Sequence, residues 1–198
     1  MRGKLYVISG PSGAGKGTVI SELLKRDSNL YLSISVTTRG KRPGEQEGVN
    51  YYFRSHEEFN KMIENNEFLE YARFCENSYG TPIAPIKAKL DLGEDVILEI
   101  EVQGAMQVKE NMPECVTIFV APPSIDELAK RLKGRNTETD DVIKLRVETA
   151  KEEVKQAGNY DYIIVNDMVE KAIDDISSII KAERCKKESV IDELEVLK

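Results

Sequence analysis

Residues 10–18, Gly10-Pro11-Ser12-Gly13-Ala14-Gly15-Lys16-Gly17-Thr18, follow the apolar run Leu5-Tyr6-Val7-Ile8 after the single residue Ser9. After them Val19, Ile20, Leu23 and Leu24 recur at the spacing of one helix face. A buried strand, a glycine-rich turn and a helix in that order allow few architectures. Glycines let the backbone curl until successive N–H groups face one concavity, and the helix N-terminus adds partial positive charge. Lys16 supplies a mobile cation for β- and γ-phosphates. An incidental glycine-rich turn leaves Lys16 unexplained. So does a dinucleotide-binding turn, which also wants an acidic residue about 20 positions on. The general phosphate-loop pattern puts Ser or Thr directly after the lysine as a magnesium ligand, whereas here Gly17 intervenes before Thr18. No metal ligand is assigned; Thr18 acting through water is one option.

Further buried strands are predicted at 96–100, 115–120 and 162–165, with helices at about 83–92, 103–110, 124–134, 140–157 and 168–187. This alternation implies an α/β fold with a parallel sheet flanked by helices on both faces. Ser55 with Glu58, and Ser124 with Glu127, are spaced as capping boxes. Residues 33–82 break the rhythm. Stretches 33–38 and 51–53 read as exposed strands, and Gly40, Pro43, Gly44 and Gly48 punctuate the space between them. The predicted organisation is a core from 1–32, 83–123 and 158–198, a small mixed α/β insertion at 33–82, and a charged helical lid at 124–157.

At 198 residues the chain suits one sizeable core. Its net charge of −7 argues against a general nucleic-acid or membrane-surface binder, so any anion must meet a local cluster of cations. Cys75, Cys115 and Cys185 are odd in number and lack metal-ligand spacing, which predicts reduced thiols. The first residues are too short an apolar run for a signal peptide, and no stretch approaches a membrane span. The expectation is a cytoplasmic protein.

Arg39-Gly40-Lys41-Arg42, Glu45 and Tyr51-Tyr52 place two guanidinium groups three residues apart beside phenolic hydroxyls. That combination suits a monophosphate, and also a solvated basic loop. Here a resemblance becomes specific. Residues 35–45 (Ser-Val-Thr-Thr-Arg-Gly-Lys-Arg-Pro-Gly-Glu), Tyr51-Tyr52-Phe53, Phe68-Leu69-Glu70, Tyr79-Gly80-Thr81 and residues 98–104 (Leu-Glu-Ile-Glu-Val-Gln-Gly) occur in order with the phosphate loop. Together they resemble guanylate kinase, from about Lys4 to Asp167, with one guanylate-kinase-like domain over about 4–184. The resemblance implies a P-loop NTPase core, a GMP-binding insertion and a lid. It implies transfer of the ATP γ-phosphoryl group to GMP, and to dGMP, with magnesium, in purine nucleotide metabolism and GMP recycling.

By that resemblance Arg39, Arg42, Tyr51 and Tyr79 hold the GMP phosphate, with Glu45 among them, while Ser35, Glu70, Thr81 and Glu101 face the base. One carboxylate accepts both guanine N1–H and the N2 amino group, whereas adenine N1 presents an acceptor. The unpaired group then costs about 1–3 kcal/mol. Glu101 stands where the family more often carries aspartate, and Glu99 is expected near the hydration shell of the metal. Arg131, Arg135 and Arg146 are expected to close over the phosphates, and Asn166-Asp167 resembles the adenine-edge loop, where a backbone contact makes the side chains poor reporters. Lys16, Arg42, Arg135 and Arg146 carry catalysis, which is alignment and charge stabilisation. The attacking atom is already an anionic phosphate oxygen, so no general base is needed. His56, the single histidine, sits in a capping box and reads as a surface residue. Two polyanions brought together away from water call for closure.

A guanylate-kinase-like protein-binding module would be expected to have lost Lys16 or the lid arginines. A kinase for another monophosphate or a sugar phosphate leaves Ser35 and Glu70 unexplained. The expected partners are ATP and GMP, with no nucleic acid and no membrane, on a monomer or homodimer.

Overall fold

The computed structural model describes residues 2–74, 76–134 and 139–191. Strand β1 (Leu5–Ser9) is buried on both faces, as its apolar run requires of a central parallel strand. The chain then passes through the glycine-rich loop into α1 (Lys16–Arg26) and β2 (Leu30–Leu32). Next come β3 (Val36–Thr37), β4 (Tyr52–Phe53), α2 (His56–Glu64), β5 (Phe68–Phe74) and β6 (Asn77–Pro82). Helix α3 (Ile83–Asp91), β7 (Asp95–Glu99), α4 (Val102–Asn111) and β8 (Val116–Ala121) follow. Helices α5 (Ile125–Lys133) and α6 (Asp140–Lys155) precede β9 (Tyr162–Val165) and α7 (Val169–Arg184).

Five parallel strands form one sheet in the order β2-β7-β1-β8-β9. Alternate residues of β1 serve its two faces. Tyr6 and Ile8 join Val19, Ile20 and Leu23 of α1 and Ile173 and Ile176 of α7. Leu5 and Val7 join Ile86 and Leu90 of α3 and Val102, Ala105 and Val108 of α4. Each fully buried aliphatic side chain contributes about 1.5–3 kcal/mol of transfer free energy, so this sandwich is the rigid floor under the loops at its strand ends.

A second sheet of four strands runs β4-β3-β6-β5, with β5 and β6 antiparallel. Its small core is Val36, Phe59 and Phe68, the two rings stacked 4.5 Å apart. Helices α5 and α6 enclose a third cluster of Leu128, Leu132, Ile143 and Ala150.

Several local expectations are corrected. Residues 36–37 are buried rather than exposed, because α2 covers Val36 and Thr37 bonds the Ser78 carbonyl. β2, β5 and β6 were not predicted as strands. Ser55 and Glu58 form the reciprocal capping box. Ser124 accepts from the Glu127 N–H, but the Glu127 carboxylate pairs with Lys130 and Arg131 instead of returning to the cap. Cys115 and Cys185 are free thiols, whereas Cys75, the 135–138 segment and the last seven residues lie outside the described residues. Among the described residues, no helix is long and apolar enough to cross a membrane.

Candidate active site

The loop after β1 needs glycine at two tight places. Gly10 has φ +140°, and a Cβ there would fall 2.2 Å from the Val120 carbonyl oxygen of β8. Gly15 has φ +91°, and its Cβ would fall 2.5 Å from Nδ2 of Asn166. Pro11 and Ala14 are buried within the loop, while Ser12 and Thr18 are open to solvent. Lys16 opens α1 and turns its ammonium back onto the loop, donating to the carbonyls of Gly10 (2.5 Å) and Pro11 (3.2 Å). Its charge thus stays at the mouth of the concavity.

The helical pair leans on this loop. Leu128 and Leu132 of α5 pack over Gly13. Arg146 Nη1 donates to Ser12 Oγ at 3.3 Å, and Arg131 Nη2 to the Asn166 carbonyl at 3.1 Å. Arg135 lies outside the described residues. Asn166 follows β9, and its side chain is far from idle: it is 1% exposed, and Nδ2 donates to the Ala14 carbonyl at 2.8 Å. Its buried Oδ1 has no hydrogen-bond partner among the described residues.

On the second sheet Arg39 donates from its two terminal nitrogens, Nη2 and Nη1, to Glu45 at 2.7 and 3.1 Å, and lies over the Tyr51 ring at 5.4 Å. Arg39 and the Arg42 backbone N–H hold the Glu45 carboxyl below its ordinary range. The Arg42 side chain itself is exposed. Tyr51 meets Tyr79 edge-on with centroids 6.2 Å apart. Ser35 precedes β3, half-buried, its carbonyl accepting from the Tyr52 N–H.

Glu70 is 7% exposed on β5, and its Oε1 accepts from Thr81 Oγ1 of β6 at 2.5 Å. Burial raises its carboxyl, Glu101 adds to the rise, and Thr81 opposes it. The first turn of α4 lies against the carboxylate, and the positive end of that helix favours its ionised form. Glu101 is exposed at the N-cap of α4 and makes no capping bond.

The two halves meet at the end of β7. Glu99 opens to solvent there, yet enough protein surrounds it to raise its carboxyl, with Lys16 pulling it down. Burial raises the Tyr51 hydroxyl, as do Tyr79, Glu45 and Glu99, while Arg39 lowers it. Glu99 Oε1 lies 3.5 Å from where a Cβ on Gly17 of the loop would stand. One further acid carries almost no sequence signal. Glu153 of α6 reads as one more charge on a solvated face, yet burial and Glu101 raise its carboxyl while Lys16 lowers it. Only its place two turns after Arg146 on the same helix hints at the cleft.

The glycine-rich loop with its lysine thus stands at the end of the parallel sheet, and the second sheet carries a forked cation paired with an acid and a buried acceptor. The arrangement suits two phosphate esters end to end, one carrying a base rich in donors. A family model described as guanylate kinase matches residues 2–183. A guanylate kinase of Halalkalibacterium halodurans is 52% identical over 191 residues, 96% of this chain and 94% of that protein. One from Desulfitobacterium hafniense is 52% identical over 184 residues, 93% of this chain and 92% of that protein. Among solved structures, the guanylate kinase from Anaplasma phagocytophilum superposes with a TM-score of 0.75 at 38% identity, covering 93% of this chain and 88% of that one.

Proposed function

The chain belongs to the guanylate kinase family and phosphorylates GMP with ATP, and from that premise we propose how its residues divide the work. The loop of residues 10–18 wraps the donor phosphates with its amides, and Lys16 swings from its own loop carbonyls to the β- and γ-phosphates. Arg146 and Arg131, already at the rim of the loop, place positive charge where the equatorial oxygens develop negative charge. Arg135 is assigned beside them.

Arg39, Arg42, Tyr51 and Tyr79 hold the acceptor phosphate. Glu45 orients Arg39 and shares it with the substrate. Glu70 accepts guanine N1–H and the N2 amino group, with Thr81 fixing the carboxylate and Ser35 and Glu101 completing the edge around the base. None of these contacts uses the ribose 2′-hydroxyl, so dGMP is an acceptor too. A GMP phosphate oxygen attacks the γ-phosphorus while the bond from that phosphorus to the ADP oxygen breaks, and its electron pair leaves with ADP. The attacking oxygen is already anionic, so no proton has to be removed first.

The Glu99 carboxylate lies 3.5 Å from where a Cβ on Gly17 would stand, beside Thr18, and these oxygen donors fit magnesium, which keeps several waters and is shared with substrate phosphates. Glu99 and the Thr18 hydroxyl would hold it through water, and when bound it screens the charge of the transferring phosphates. We assign the protein as a monomer or homodimer, and the reaction to the cytoplasm.

The observation that carries this reading is the buried Glu70 carboxylate, one oxygen held by Thr81 at 2.5 Å and the other against the first turn of α4. ADP release measured with GMP, dGMP, AMP, CMP and UMP tests it. Turnover should be confined to GMP and dGMP. A preference for AMP would overturn the guanine assignment, and no turnover with any acceptor would favour a binding module.

A further inference from the structure

Gly104 sits in the first turn of α4, buried, at the end of the run Glu101-Val102-Gln103-Gly104. Nothing in its backbone calls for glycine, since it is not among the residues with positive φ. In a helix, alanine is preferred at such a position by about 0.5–1 kcal/mol. The space its side chain would fill is taken by Glu70. A Cβ at Gly104 would lie 2.8 Å from Glu70 Oε2, 3.2 Å from Cδ and 3.5 Å from Cγ.

Glu70 has little room to retreat. Its other oxygen is held by Thr81 at 2.5 Å. The β5 backbone on either side is fastened to α4: Gln107 exchanges hydrogen bonds with the Tyr71 N–H and carbonyl, both at 3.2 Å, and Asn111 Nδ2 donates to the Leu69 carbonyl at 2.8 Å. A methyl group at Gly104 therefore displaces the carboxylate and leaves the strand where it is. Real Cβ contacts essentially never fall under 3.0 Å and ordinary contact begins at 3.4 Å, so Oε2 must move outward from 2.8 Å by a few tenths of an ångström. Two N–H donors on one base edge tolerate poorly a shift of that size in the group that accepts both.

We infer that Gly104 is a specificity-determining position, whose missing Cβ sets where the base-reading carboxylate of Glu70 stands. The inference rests on the reading of Glu70 as the guanine acceptor. Gly104 acts through Glu70 and is a positioning residue.

The test is Gly104→Ala in the full chain, with steady-state kinetics for GMP, for inosine monophosphate (the same base edge without the 2-amino group) and for ATP, beside a thermal melt. The expected result is a KM for GMP raised tenfold or more, with kcat at saturation and KM for ATP much less affected. The ratio of kcat/KM for GMP over inosine monophosphate should narrow, and the melting temperature should stay level or rise. Glu70→Asp, one methylene shorter, should cost less in the Gly104→Ala background than in the wild-type chain. If Gly104→Ala leaves KM for GMP and that ratio unchanged while Glu70→Gln alters both, the inference about Gly104 is wrong and the reading of Glu70 stands. If Glu70→Gln also changes neither, the reading of Glu70 fails first. An unfolded Gly104→Ala would equally overturn the inference, because the added methyl would then have displaced the backbone.

Discussion

Asn166→Ala removes a side chain that does more than the adenine-edge position suggests. Nδ2 donates at 2.8 Å to the carbonyl of Ala14, a buried residue of the phosphate loop. Losing it leaves that carbonyl unpaired, which costs about 1–3 kcal/mol. The Asn166 Oδ1 atom is buried without a partner among the described residues, so its removal returns part of that cost. A net loss of about 1–2 kcal/mol follows, and at 2–4 °C per kcal/mol for a chain of this size the melting temperature should fall by roughly 2–8 °C. If the same free energy is expressed in how well the loop is set for the donor, KM for ATP rises about 5- to 30-fold, with KM for GMP unchanged. Arg131 bonds the Asn166 backbone carbonyl, so that contact survives the substitution. Asn166→Asp keeps the shape but turns an oxygen toward the Ala14 carbonyl, and should be worse than alanine. Calorimetry and donor kinetics on the two variants check this. An alanine variant with wild-type melting temperature and KM for ATP, or an aspartate variant indistinguishable from wild type, would refute the clamp.

Two more outcomes follow from the same structure. The Glu70 carboxyl is raised by burial and by Glu101, so the folded protein keeps that proton at a pH where the unfolded chain has lost it. Its contribution therefore favours folding in acid and is lost as pH rises through the raised folded value, while the proposed contact with guanine needs the ionised form. KM for GMP should climb on acidification above the ordinary glutamate range, and a pH profile that Glu70→Gln fails to flatten would exclude this group. Phe59→Ala opens the small core of the second sheet at a cost of about 3–5 kcal/mol. Hydrogen exchange should then show residues 36–82 opening before the five-stranded sheet, and uniform loosening would count against separate cores.

The parts legible in the sequence are those where pattern and packing coincide. The apolar run of β1 is buried on both faces, β9 has its predicted bounds, and Ser55 and Glu58 satisfy each other across one turn. β2 escaped notice because Leu30–Leu32 is too short to show a period, and its pairing with β7 is a tertiary fact. β5 escaped because Glu70 and Arg73 interrupt its apolar residues, and Glu70 is buried only because β6 and α4 close over it. Within the candidate site, the loop and Arg39 could be picked out by residue type and spacing, and Glu70 through the family resemblance. The Asn166 side chain, Glu153 and Gly104 could not, because what each does depends on atoms far away in the chain.

Gln107 has a consequence for how the small sheet ends. A terminal strand offers unpaired peptide groups to any passing chain, and proteins commonly blunt that edge with charge or a bulge. Here a helix side chain offers an amide N–H and an amide oxygen to Tyr71 as a neighbouring peptide would. At that residue the edge is closed to a further strand. Apolar surfaces slide over one another, but two opposed hydrogen bonds have direction, so the group that caps the sheet also fixes its orientation on the helix.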